Sequence, residues 1–358
     1  MPAGVARLAA WCEHQKPSRL RGRRERPVAN IHLTLACGDY DRTRALIDGA
    51  VPTPGIDLTV IPLSDAWARH QRMVLHEEFD VCELSLSSFL MSRDRGRAFV
   101  AIPVFPYRTF RHSYLWCARA AKIERASDLA GKRVGVGMYQ ITTALWLRGH
   151  LEHDFGVPPS AIRWVTEMLE LVPFDPPAGV HIDLATGGWG VEAMLLEGEL
   201  DAYVGVEGIP PGFAGDPRVR RLFGRKDELA YFRRSGIFPI MHVVVFRAAV
   251  LEANPWAAVA MMDAFRQAKN LGRASSRYPR VSSLAWHLSY QEEELEIFGP
   301  DPYPYDFASN RRTIETAIQY AHEQGLIRTA PAPEDLFAPS TIDFPERGPE
   351  YGGRLRRE

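Results

Sequence analysis

A carboxylate and three hydroxyls follow a buried-looking strand in FDVCELSLSSFL, residues 79–90: Glu83, Ser85, Ser87 and Ser88. A carboxylate at a strand's end is costly unless exposed or paired, so Glu83 suits the lip of a cleft. Ser85 suits the same place, while Ser87 or Ser88 can instead satisfy the free amides of the helix that follows. In FPYRTFRHSYLWC, 105–117, Arg108, Arg111 and His112 precede an apolar strand. Two guanidiniums there match an anionic ligand, since arginine grips carboxylates bidentately; a solvated basic turn is the competing reading. In FPIMHVVVF, 238–246, His242 interrupts a strand that is otherwise apolar. If both segments cross a cleft floor, His112 and His242 converge as an acid/base pair or as metal ligands; a structural hydrogen bond is the alternative.

Two further strand-to-helix turns carry polar groups. MYQITTALWLRG, 138–149, offers Tyr139, Gln140, Thr142 and Thr143 at a helix start, with Arg148 deeper in the helix. Such a start presents free amides to an anion. ACGDYDRTR, 36–44, places Asp39, Tyr40 and Arg42 at the lip of the first lobe. His76, His150, His153, His287 and His322 lie in polar helical surroundings and read as surface groups. In GVGMYQ only Gly135 and Gly137 fit a dinucleotide fingerprint, and no Walker A, HExxH or GxSxG occurs, which argues against those chemistries.

The elements that must position these residues alternate. Strand patterns at 31–36, 56–63, 79–84 and 99–105 are separated by short helical stretches, one of them with Ser64 or Asp65 as its cap. A second cycle has strands at 133–138, 162–167 and 200–206 and a long helix from Thr142. A strand at 238–246 returns to the first lobe, followed by helices from about Asn254 to Leu271 and over 310–326, the latter closed by Gly325. This is an α/β fold of two lobes, each a mostly parallel sheet flanked by helices. Lobe 1 is expected at 28–115 plus 242–340 and lobe 2 at 116–241, with a ligand between them. Residues 1–27 read as a disordered extension, with Val28 as an alternative start, and 341–358 as a flexible tail.

Bulk properties fit a soluble enzyme or binding protein. The chain has 358 residues and a net charge of −1, which implies no nucleic-acid or anionic-membrane partner. No apolar run approaches the roughly 20 residues of a membrane span. Cys12, Cys37, Cys82 and Cys117 form no CxxC; buried reduced thiols are expected at Cys37, Cys82 and Cys117, which lie in strand-like apolar runs, and with them a cytoplasmic location.

Together, FDVCELSLSSFL, GKRVGVGMYQITTALWLRGHL, GIFPIMHVVVF, NPWAAVAMMDAFRQAK and NRRTIETAIQYAHEQGL with LFAPST resemble the 4,5-dihydroxyphthalate decarboxylase family, over about 31–341. The resemblance implies a type 2 periplasmic-binding-protein-like fold and non-oxidative loss of CO2 from 4,5-dihydroxyphthalate, giving 3,4-dihydroxybenzoate in phthalate degradation. Under that expectation Arg108 and Arg111 hold carboxylates, His112 and His242 transfer protons, and Glu83 meets the catechol. Asp39, Tyr40, Arg42, Ser85, Tyr139, Gln140, Thr142 and Arg148 line the substrate. No cofactor is required by any spacing; a divalent metal, if used, would fall to His112, His242 and Glu83. The partner is a small anionic aromatic substrate, and the family suggests a homo-oligomer. One departure stands out. After LDAYVGV the family pattern implies a basic residue and a serine, but the chain has Glu207 and Gly208. The rival readings are a solute-binding protein of a transporter and another enzyme on the same scaffold.

Overall fold

Seven consecutive residue pairs in parallel register, β1 (Ile31–Cys37) against β2 (Ile56–Pro62), open the first sheet. The computed structural model describes residues 30–186 and 190–345, so the extension expected at 1–27 lies outside the described residues. The remaining strands are β3 (Val81–Ser85), β4 (Phe99–Ile102), β5 (Leu115–Ala118), β6 (Arg133–Val136), β7 (Arg163–Thr166), β8 (His181–Leu184), β9 (Ala202–Val204), β10 (Val219–Arg221) and β11 (His242–Arg247). The helices run α1 (Asp41–Ile47), α2 (Ala66–His76), α3 (Leu86–Asp94), α4 (Thr142–Phe155), α5 (Val191–Leu196), α6 (Arg225–Ser235), α7 (Ala248–Ala253), α8 (Ala257–Ser276), α9 (His287–Phe298) and α10 (Arg311–Glu323).

One sheet has the order β2-β1-β3-β11-β4 and the other β10-β5-β9-β6-β7-β8. Each contains a single reversed strand. β11 is antiparallel to β3 and β4, and β5 is antiparallel to β9 and β10. These two are the strands the chain enters directly after passing from one sheet to the other. The two passages, 103–114 and 222–241, pair as a short antiparallel ribbon at 107–109 and 239–241: Thr109 N–H donates to Pro239 O (3.2 Å) and Met241 N–H to Tyr107 O (2.9 Å).

Local signals place the helices. Asp65 caps α2, its carboxylate accepting from Ala68 N–H at 3.1 Å. α3 is capped by Ser85, not by Ser87 or Ser88 as the sequence suggested, because β3 ends at Ser85 and the helix begins at the next residue, Leu86, which takes Ser87 and Ser88 into its first turn. α8 starts at Ala257 and runs to Ser276, later at both ends than expected, with Pro255 in the preceding turn. α6 and α9 had no counterpart in the sequence reading. Gly272 of α8 packs directly on the backbone of α1: a Cβ there would lie 2.2 Å from Asp41 O. Of the tail expected at 341–358, Thr341 is buried and Phe344 packs on the core beside Arg266, and residues 346–358 lie outside the described residues.

The largest core cluster runs through both sheets, joining Leu84 and Phe89 to Val134, Trp146 and Ile240. Trp146 of α4 also donates its indole N–H to Ile240 O at 2.9 Å, tying that helix to the ribbon. Cys37, Cys82 and Cys117 are buried free thiols.

Candidate active site

β3 carries a charge with no access to water at its middle residue. Glu83 is fully enclosed, and four groups satisfy it. Gly38 N–H donates to Oε2 (2.7 Å), and the Tyr40 hydroxyl donates to Oε1 (2.9 Å). Arg69 Nη2 lies 3.2 Å from Oε1, and His242 Nδ1 lies 2.5 Å from the same oxygen. Register explains the last contact: His242 and Ser85 are paired across β11 and β3, which brings the imidazole over the strand end. Burial alone would raise the Glu83 carboxyl. The Arg69 guanidinium, the His242 ring and the Gly38 amide outweigh that and hold it well below the ordinary carboxylate range. The carboxylate therefore accepts Nδ1–H from His242 and leaves Nε2 for the space beyond. Burial pulls His242 below its usual pKa, against the pull of Glu83.

That space is a cavity of about 190 Å³ between the sheets. His242, His70, Arg111 and Tyr107 line it together with Ser85, Thr142 and Thr143. His70 meets His242 edge-on, with ring centroids 4.8 Å apart, and its Nε2 is buried without a partner. Burial, then the neighbouring His242 and Arg69, push His70 well below the ordinary histidine value, so it is neutral. Tyr107 lies tilted against His242 at 5.1 Å. Arg111 donates from Nη1 to Val206 O (2.7 Å) and from Nε to Met241 Sδ (3.0 Å), which fixes its guanidinium at the wall.

Two helix starts meet here and differ. The first turn of α3 is satisfied: Ser87 N–H donates to Thr142 Oγ1 (3.0 Å) and Ser88 N–H to Ser85 Oγ (3.5 Å). α4 begins at Thr142, and its N-cap, Ile141, gives no side-chain cap; Ile141, Thr142 and Thr143 line the cavity, which puts the uncapped helix start at its wall. The Thr142 hydroxyl joins the two, 2.8 Å from Ser85 Oγ.

The sequence-derived candidates divide. Arg111, His242, Ser85 and Thr142 line the cavity, and Glu83 stands directly behind His242. Tyr40 is one layer further back, on Glu83. His112 does not converge with His242. It turns the other way, stacking on His150 with centroids 4.3 Å apart, so the metal set His112, His242 and Glu83 does not assemble. Arg108 holds Asn310 and donates to Phe238 O (3.1 Å), away from the cavity. Asp39 pairs with Arg44, and Arg42 lies between the Tyr40 and Tyr303 rings, donating to Pro106 O. Tyr139 and Gln140 give their N–H groups to Glu170 (2.8 and 2.9 Å), and Arg148 stacks on the Tyr139 ring and donates to Gln324. These residues support the wall from outside. His150, expected at the surface, is buried.

Sequence reasoning missed Arg69, His70 and Tyr107. The signal for the first two was present: on α2 they share the core-facing side with Met73 and Val74, where a charge needs a partner. Larger hollows exist, one of about 390 Å³ between α8 and α9, but its Arg273 is paired with Asp301.

The chain is 33% identical over 329 residues to a 4,5-dihydroxyphthalate decarboxylase of Comamonas testosteroni, covering 88% of this chain and 99% of that protein. It belongs to the 4,5-dihydroxyphthalate decarboxylase family. A second family member, from Pseudomonas putida, is 38% identical over 200 residues, covering 54% of this chain and 77% of its own. These relatives support a decarboxylase role. No family model matches the chain. Among solved structures, the periplasmic aliphatic sulphonate binding protein SsuA of Escherichia coli aligns with a TM-score of 0.54 at 13% identity, covering 87% of this chain and 98% of that one. The alkanesulfonate-binding protein SsuA of Xanthomonas axonopodis pv. citri gives 0.53 at 13%, covering 86% and 98%. The desulfurization enzyme DSZB gives 0.50 at 17%, covering 86% and 96%. These likenesses establish the periplasmic-binding-protein fold of the family and nothing about its ligand. No described helix is long and apolar enough to cross a membrane.

Proposed function

We propose that the chain converts 4,5-dihydroxyphthalate to 3,4-dihydroxybenzoate and CO2. The observation that carries this is His242, held by a buried ionised carboxylate and facing a cavity that also presents Arg111 and the open start of α4. The size supports one ring: a cavity of about 150 Å³ takes up benzene, and this one has about 190 Å³.

The chemistry follows from the groups. Arg111 and the α4 amides orient the two adjacent carboxylates. Neutral His70 accepts the hydrogen bond of the catechol hydroxyl para to the carboxylate that leaves. As that O–H bond weakens, its electrons move through the ring to the carboxyl-bearing carbon. His242, protonated as the anionic substrate enters, donates from Nε2 to this carbon, and Glu83 stabilises the imidazolium until the transfer. The carbon becomes tetrahedral and the opposite oxygen carbonyl-like. The C–CO2⁻ bond then breaks, its electron pair restores the aromatic ring, the oxygen takes back its proton from His70, and CO2 departs. One proton is consumed overall, and His242 regains it from solvent. A dry, closed cavity suits the step because water would solvate the carboxylate that must lose its charge.

Glu207 stands at the exposed rim of the cavity, on the same wall as Arg111, where it weakens the pull on an incoming anion. The solute-binding reading shares the fold, but binding alone gives no use for an imidazole poised on a buried carboxylate. Incubating the purified protein with 4,5-dihydroxyphthalate and following CO2 and 3,4-dihydroxybenzoate tests the proposal. Stoichiometric formation of both is expected; tight binding with neither product formed would return it to the solute-binding reading.

A further inference from the structure

On the side of the ribbon away from the cavity, three potential ligands cluster where the proposed reaction has no use for them. His112 precedes β5, and His150 and Asp154 lie one turn apart on α4. Each contributes one donor atom, and the three lie within 4.8 Å of one another. His150 Nδ1 is 3.7 Å from Asp154 Oδ2. Both imidazoles are only 1% exposed. His112 Nδ1, both ring nitrogens of His150 and Asp154 Oδ2 have no hydrogen-bond partner. Buried polar atoms are rarely left this way, and four in one place call for something that satisfies them together.

We propose that His112, His150 and Asp154 bind a divalent transition-metal ion, zinc or one of similar preference, as a structural site separate from the cavity. The N2O donor set and the i, i+4 spacing on one helix face suit such an ion. Tetrahedral zinc places its donors roughly 3.3 Å apart, so the His150–Asp154 edge, at 3.7 Å, is close to that spacing and the widest edge of the cluster, at most 4.8 Å, must contract by up to about 1.5 Å. The outer shell is in place: Arg234 donates to Asp154 Oδ1 at 2.6 Å, fixing the carboxylate with Oδ2 inward. Tyr231 packs on both rings, 5.1 Å from His112 and 4.3 Å from His150, with its hydroxyl unpartnered. A surface depression lined by Asp154, Tyr231 and Arg234 gives an entry path, and water or the Tyr231 hydroxyl fills the fourth position. Once bound, the ion fastens the 103–114 passage to α4. Arg111, next to His112, and the open start of α4 are then held in fixed relation across the cavity.

The test uses the full chain, stripped with a chelator and titrated with Zn2+ and Co2+. One equivalent should bind, Co2+ should show the intense visible absorption of a tetrahedral site, and saturating Zn2+ should raise Tm by about 4 °C. Asp154→Asn, which keeps the side-chain volume, should abolish the Co2+ spectrum and the Tm rise, as should His150→Gln. A nearby exposed group, Glu152, His153 and Glu323, is the obvious competitor for added metal. His153→Ala should therefore leave binding intact. If His153→Ala removes the signal while Asp154→Asn keeps it, or if no equivalent binds, the proposal is overturned.

Discussion

The molecule buries two histidine pairs of similar shape. His70 and His242 meet edge-on at 4.8 Å beside the cavity, and His112 and His150 stack at 4.3 Å on the far side of the ribbon. All four rings are shielded from water and pushed below the ordinary histidine value, chiefly by burial. What separates the pairs is the carboxylate. His242 leans on a fully enclosed Glu83 that Arg69 keeps ionised, while His150 faces Asp154 at a distance too long for a hydrogen bond. The first arrangement prepares a proton carrier, the second leaves donor atoms waiting for a ligand. Burial of a histidine says little about its role until its partner is known.

The sharpest way to break this contrast is to remove one ring from each pair. His242→Asn should lower kcat about 10³-fold, within the range for general acid–base groups, whereas His112→Asn should cost less than about fivefold. Equal losses in steady-state assays would mean that both pairs serve the reaction. Next in size is Glu83→Gln. It leaves the Arg69 charge buried without its counter-ion and should destabilise the fold by about 3–5 kcal/mol in denaturant unfolding. Glu83→Leu combined with Arg69→Met should recover much of that stability without recovering activity.

Acid provides a third test. His70 has its pKa lowered by burial, so the unfolded chain takes up a proton that the folded chain refuses. Stability is then fully present above about pH 6.5 and falls as pH drops below it, by up to about 1.4 kcal/mol per pH unit for each such group. Glu83, also lowered, adds a second loss as pH falls below about 4.5, its unfolded value. His70→Asn should lessen the first decline in Tm between pH 6.5 and 5, to which His242, His112 and His150 also contribute, while leaving the second. Arg111→Lys should raise KM roughly tenfold with little change in kcat, because an ammonium lacks the two-pronged geometry. The smallest effect is expected at the rim, where Glu207→Gln should lower KM by about threefold, most visibly at low salt.

Much of the scaffold was legible because its strands alternate and its turns carry the residues turns require. The Asp65 cap, the start of α4 at Thr142 and the return strand through His242 all follow from local chemistry. α9 was not, since none of its residues is buried and its apolar positions therefore carry no core-facing period. The site was half legible. Glu83 and His242 stood out as polar residues in apolar strands, but their partnership needs the pairing of β3 with β11, which no spacing encodes. Arg111 and His112 are neighbours in sequence, and that nearness misled. The short turn at His112–Tyr114 sends adjacent side chains to opposite sides, one to the cavity and one to His150.

The ribbon formed by the two passages carries Tyr107, Arg111 and Met241, and His242 begins the strand that leaves it. A pivot moves least at its own axis. Were one half of the molecule to swing about this ribbon, Trp67 on one wall and Met168 on the other would move apart, while the imidazole, next to the ribbon, would move less. Opening to admit a substrate and keeping the chemistry in alignment are therefore not in conflict here.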